Sequence, residues 1–126
     1  MTEPQSTGAR ANGMMRQIEA GALPNVGTGP KARDGWEAPL PSGRRVFRSE
    51  LLEEAGQLAA LGPEAVPALA DWVDHSNAAI RFVAITALRQ ITGLLLEVPY
   101  FDDADQSGSR ARAISAWRHW YTQRTQ

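Results

Sequence analysis

The chain has 126 residues, 43% hydrophobic and 21% charged, with a net charge of −1. That length suits one small globular domain with a tail, and near-neutral charge gives no electrostatic footprint for nucleic acid. Cysteine is absent, which excludes disulfides, thiolate metal sites and cysteine nucleophiles and fits a reducing compartment. No run approaches the roughly 18–20 apolar residues of a membrane span, and residues 1–22 lack the apolar core of a secretory signal. The expected location is cytoplasmic, with no membrane partner.

Charge is unevenly spread. Through Arg48 there are seven Lys/Arg against four Asp/Glu; from Ser49 onward there are six against ten. A basic leading segment on an acidic body accounts for the split. Residues 1–43 carry twelve glycines and prolines, which predicts a largely irregular N-terminal segment. One short helix is expected over residues 13–21, with Met14, Met15 and Ile18 on one side. Residues 1–12 are expected to be disordered, and Trp36 to anchor an extended stretch onto the core.

From residue 44 to the end the pattern is helical. A helix begins near Ser49, read as its N-cap, with Glu50, Glu53 and Glu54 in the first turn and Leu51, Leu52, Ala55, Leu58 and Ala59 as its apolar stripe. Gly62 ends it, and Pro63 suits the first position of the next helix. That helix places Val66, Leu69, Ala70 and Val73 on one face. Pro67, a turn in, should kink it or cost a hydrogen bond. A turn at His75-Ser76-Asn77, capped by Ser76 or Asn77, leads into a helix over residues 78–91 that Gly93 stops.

This third helix is apolar on two sides. Ile80, Val83, Ala84, Ala87, Leu88 and Ile91 form one stripe, while Ala78, Phe82, Ile85 and Arg89 fall opposite. Such a helix is buried on two sides, so it should be the central element. Its second neighbour is either the last helix, near residues 109–123, or another molecule. In that last helix Ala113, Ile114, Trp117, Trp120 and Tyr121 share an arc, with Arg112, Ser115 and His119 facing away.

Leu61-Gly62, Pro67-Ala68-Leu69, Val73, Ile80-Arg81, Ala84, Ala87-Leu88 and Ile91-Thr92-Gly93 together resemble a HEAT-type helical repeat. The ending ARAISAWRHWY is similar to the Trp-x-x-Trp closing helix of small bacterial HEAT-like proteins. The resemblance implies an all-α fold: a short array of HEAT-like helical hairpins, a minimal α-α superhelix, over residues 44–126. In that family the first-helix proline kinks, and an arginine, here Arg81, joins a polar ladder with an acidic turn residue; His75 holds that acidic position. Only one clear copy is present, which implies a capped array or one completed by self-association.

The family likeness implies a non-catalytic protein–protein interaction or scaffold module with an unidentified protein partner. The expected binding face is the outer side of residues 78–91 with the loop 99–105, through Phe82, Ile85, Arg89, Tyr100 and Phe101. The competing expectation is that Phe82 and Ile85 are covered by the C-terminal helix. A nucleic-acid reading would use Arg110, Arg112, Arg118 and Arg124 with Trp117 and Trp120, plus Arg44, Arg45 and Arg48. It is disfavoured by the acidic body.

Chemistry finds little purchase. Asp103, Asp105 and Ser107 imitate the opening of a calcium loop, but the twelfth position, where a carboxylate is needed, is Ile114. The bland alternative is a solvated loop that caps the last helix. Residues 27–31 lack phosphate-loop spacing. His75 and His119 are not at metal-ligand spacing. Asp71 with His75, one turn apart, is the sole acid–base pairing worth testing, and a helix-end charge contact explains it as well. No cofactor is implied, and a HEAT-like enzyme or enzyme accessory has the least support.

Overall fold

The computed structural model describes residues 6–23, 36–99 and 104–124. Among them are five α-helices: α1 (Thr7–Glu19), α2 (Arg48–Ala59), α3 (Val66–Trp72), α4 (Ala78–Thr92) and α5 (Ser109–Arg124). A hairpin of two short strands, β1 (Glu37–Pro39) and β2 (Arg45–Phe47), precedes α2. The all-α expectation is met at that level.

The N-terminal segment departs from expectation. α1 begins at Thr7, not near residue 13, because Ser6 caps it by accepting from the Ala9 N–H at 3.1 Å. Ala11, Met15 and Ile18 lie at i, i+4 and i+7 and are fully buried. That burial outweighs the helix-weakening Gly8 and Gly13, which composition alone reads as breakers. α1 ends where the Gly21 N–H bonds Ile18 O and the Ala22 N–H bonds Gln17 O, the paired closure that favours a left-handed glycine. Gly21 has φ +91°, and a Cβ there would meet Ser42 Oγ at 2.7 Å.

The hairpin registers Ala38 opposite Val46, and both point into the core with Leu40. Trp36 does anchor this stretch: its ring meets Phe82 edge-on at 4.8 Å. Residues 6–23 and 36–47 thus share one buried cluster with α2–α5, and the boundary expected at residue 43 does not separate a tail from a body.

α2 has no Ser49 cap. Its N-cap is Phe47, whose N–H is satisfied by Glu50 Oε1 at 3.0 Å. Pro67 neither kinks a helix nor removes a bond. A 3-10 turn at Pro63–Ala65 precedes α3, so Pro67 falls on the second helical position, where no intrahelical partner exists to lose.

α4 is capped by Asn77, whose Oδ1 accepts from the Ile80 N–H at 3.1 Å, and it ends at left-handed Gly93 (φ +74°). Residues from Ala79 to Ile85, with Ala87 and Leu88, are buried around its whole circumference. Its main neighbours are α2 and α3; α5 packs chiefly on α3. The second flank of α4 is therefore filled chiefly by α2, with the Trp36 hairpin and α5 making smaller contacts. α3 lies against both α1 and α5, so odd-numbered helices contact one another, as do α2 and α4.

Candidate interaction surface

The densest polar cluster lies at the α3–α4 turn. His75 Nδ1 accepts from the Asn77 N–H at 2.9 Å, which leaves the ring proton on Nε2, 2.7 Å from Glu19 Oε2. The imidazole stacks on Trp72 at 5.8 Å, and Trp72 Nε1 donates to Asn12 Oδ1 at 2.8 Å. Buried Arg81 donates from Nη1 to the His75 carbonyl at 2.9 Å. The arginine so reaches the turn through a carbonyl, where the family pattern would use an acidic side chain.

This cluster splices α1 to the α3–α4 turn. Both imidazole nitrogens are engaged within the fold, so His75 has no nitrogen left to act as a base. Asp71 is not its partner: Asp71 Oδ1 accepts from Arg118 Nη2 on α5, which makes the Asp71–His75 pairing a misreading. One-turn spacing brings two side chains near each other but does not decide which of several neighbours each prefers.

The face expected to bind a partner is reassigned. Phe82 is 2% exposed and Ile85 fully buried, and the Trp36 ring packs edge-on against Phe82. Neither can serve as a surface hot spot. Arg89 is half-buried and its Nη2 donates to the Leu96 carbonyl, while its buried Nε has no hydrogen-bond partner. Tyr100 and Phe101 lie outside the described residues.

Arg89 instead pins the segment that leaves α4. Along it Leu94 is half-buried, Leu95 exposed, Leu96 half-buried, Glu97 exposed and Val98 buried. At 83% exposure Leu95 stands out among the described large hydrophobics. Beside it runs an open groove of about 420 Å³, between Leu96 and Glu97 on one wall and Ser109, Arg112, Ala113 and Ala116 of α5 on the other. Sequence reading missed this face because LLLE looks like a buried run until the helix stop at Gly93 turns it into an alternating one.

The acidic loop caps α5. Asp105 sits at φ +51° and its two carboxylate oxygens accept from the Arg110 N–H at 2.9 Å and the Ala111 N–H at 3.1 Å. These amide bonds, Arg110's first, hold its carboxyl below the ordinary value of 3.8 against some opposing desolvation. Ser107 Oγ lies 2.7 Å from Ser109 Oγ and accepts from the Ser109 N–H at 3.3 Å. Asp105 and Ser107 are thus engaged by the helix end rather than left open for calcium; Asp103 lies outside the described residues, as do residues 27–31. Among the described residues no group of three metal-ligating side chains converges.

The arginines proposed for nucleic acid are largely spent on carboxylates. Arg118 meets Asp71, Arg110 meets Asp74 at 3.4 Å, and Arg124 meets Glu64 at 3.5 Å while lying 5.6 Å over the Trp120 ring. Arg44 approaches Glu50 at 3.5 Å, and Arg45 pairs with Glu37. Trp117 is wholly buried. These contacts clasp α5 to the α3 region. Among the described residues, no helix is long and apolar enough to cross a membrane.

No family model, curated protein or solved structure matches this chain.

Proposed function

We propose that the chain is a non-catalytic protein-interaction module built as a minimal HEAT-type helical array. The observation that carries this reading is the alternation of contacts, α1–α3–α5 on one side and α2–α4 on the other, joined through α3 and α4. Stacked helical hairpins produce this pattern, because each new hairpin meets only its predecessor. The 3-10 turn at Pro63 and the start of α5 at Ser109 are about 46 residues apart, within the ~40–47-residue period of such repeats. The outward residues of α5, Arg112, Ser115 and His119, are exposed and polar, as on a terminal helix that closes a stack.

Function then resides in a surface, and exposed Leu95 marks it. The test is quantitative capture with the immobilised chain, comparing wild type, Leu95→Asp and the control Gln57→Lys on exposed α2 surface. A partner retained by wild type and control and lost by Leu95→Asp is expected. Equal retention by all three would remove this face, and no retention above bare support by the wild type would remove the interaction reading.

A further inference from the structure

Residues 94–98 alternate in burial with the period of two that an extended strand shows, yet they belong to no sheet. Among the described residues, the backbones of Leu95, Glu97 and Val98 make no hydrogen bond; the segment's internal bonds are Leu94 N–H to Thr92 Oγ1 at 3.1 Å and the Arg89 bond to Leu96 O. Leu94, Leu96 and Val98 turn inward and fix one face, so the register of the segment is set before anything binds. A segment whose side chains alternate in this way and whose amides are unpaired is a template for a strand.

The groove beside it supplies a floor and a far wall. Ala113 and Ala116 are small enough to let a backbone pass close to α5, and Leu96 offers an apolar contact. At its rim Arg112 forms no ion pair within 4 Å among the described residues; its guanidinium bonds Ser109 Oγ at 3.4 Å and acts at longer range on Asp105. We infer that this groove binds an extended peptide segment of a partner protein, added as a strand along residues 95–98 and presenting an acidic side chain to Arg112. A chain-terminal carboxylate is the poorer fit. Such groups are captured by free backbone amides, and the first amides of α5 are already taken by Asp105 and Ser107. The inference rests on the interaction reading above and names the partner's chemistry.

The experiment uses the full chain, isotope-labelled for amide resonances. The probe is a blocked six-residue peptide of alternating valine and threonine with one glutamate. Saturable shifts are expected at the Leu95 and Glu97 amides, which share the edge opposite the Leu96 carbonyl held by Arg89. N-methylation of alternate peptide bonds in the probe should weaken binding by at least about tenfold, since it removes the main-chain donors. Glutamine in place of the glutamate should weaken it about fivefold, and Arg112→Gln should cost the same without adding to the loss. The inference is overturned by an absence of saturable shifts at millimolar probe or by undiminished binding of the N-methylated peptide. It is equally overturned by indifference to the glutamate, by equal binding of a probe whose sole acid is a free C-terminus, or by shifts that grow with protein concentration alone. Successful capture through Leu95 with no peptide seated in the groove would defeat this inference and leave the interaction reading standing.

Discussion

α4 and α5 are nearly the same length, 15 and 16 residues, yet nine side chains of α4 are buried against four of α5. α4 is covered by α2, α3 and the hairpin carrying Trp36, whereas α5 rests on α3. The first is held by apolar burial on every flank. The second is held by one apolar arc and a fringe of ion pairs to Asp71, Asp74 and Glu64. The neighbours that cover it, not helix length, decide what each helix must be made of, since exposed ion pairs each contribute little and buried side chains each contribute kilocalories.

That contrast can be broken at its strong end first. Phe82→Ala should cost about 3–5 kcal/mol in urea denaturation, as for a buried aromatic removed from a packed site. A cost below about 1 kcal/mol would mean that α4 is not clasped on its Trp36 flank. Arg81→Ala should follow at about 2–3 kcal/mol, because the His75 carbonyl loses its charged donor. At the α5 end the effects shrink. Asp71→Ala should change stability by less than about 1 kcal/mol, and what change there is should fade at high salt.

Two further tests separate the two ends of α5 by pH. Asp105's folded pKa is depressed, so its contribution is present above the ordinary 3.8 and is lost as pH falls through the folded value. Asp105→Asn should lower the melting temperature modestly at neutral pH, and the gap from wild type should close in acid. Tyr121 behaves in the opposite sense. Its hydroxyl donates to Glu64 Oε2 at 2.6 Å, chiefly that bond raises its pKa above 10.0, and the stability it adds is present below that value and lost above it. Tyr121→Phe should remove this alkaline component of the melting curve and leave the acid limb unchanged.

The helices from residue 48 onward were legible because their apolar positions repeat at helical spacing, and α4 has a glycine stop at Gly93. The arc of α5 was read residue by residue, and so was the centrality of α4. α1 was only half visible: its start depends on Ser6 as a cap and on Ala11 finding a place against α3, and tertiary burial overrides two glycines. The exposure expected of Phe82 and Ile85 fails for a related reason. Periodicity shows that Phe82 and Ile85 lie opposite the main stripe, but not that Trp36, far earlier in the chain, folds back onto Phe82. The groove beside Leu96 joins residues on either side of a loop, and neither side alone announces it.

Trp72 touches a splice between distant parts of the chain. It donates to Asn12 across 60 positions and stacks on the imidazole that binds Glu19. Its indole is consequently a built-in optical gauge of whether the N-terminal helix is docked. With Trp36, Trp117 and Trp120 replaced by phenylalanine, its emission would report detachment of α1 in real time, without any attached dye.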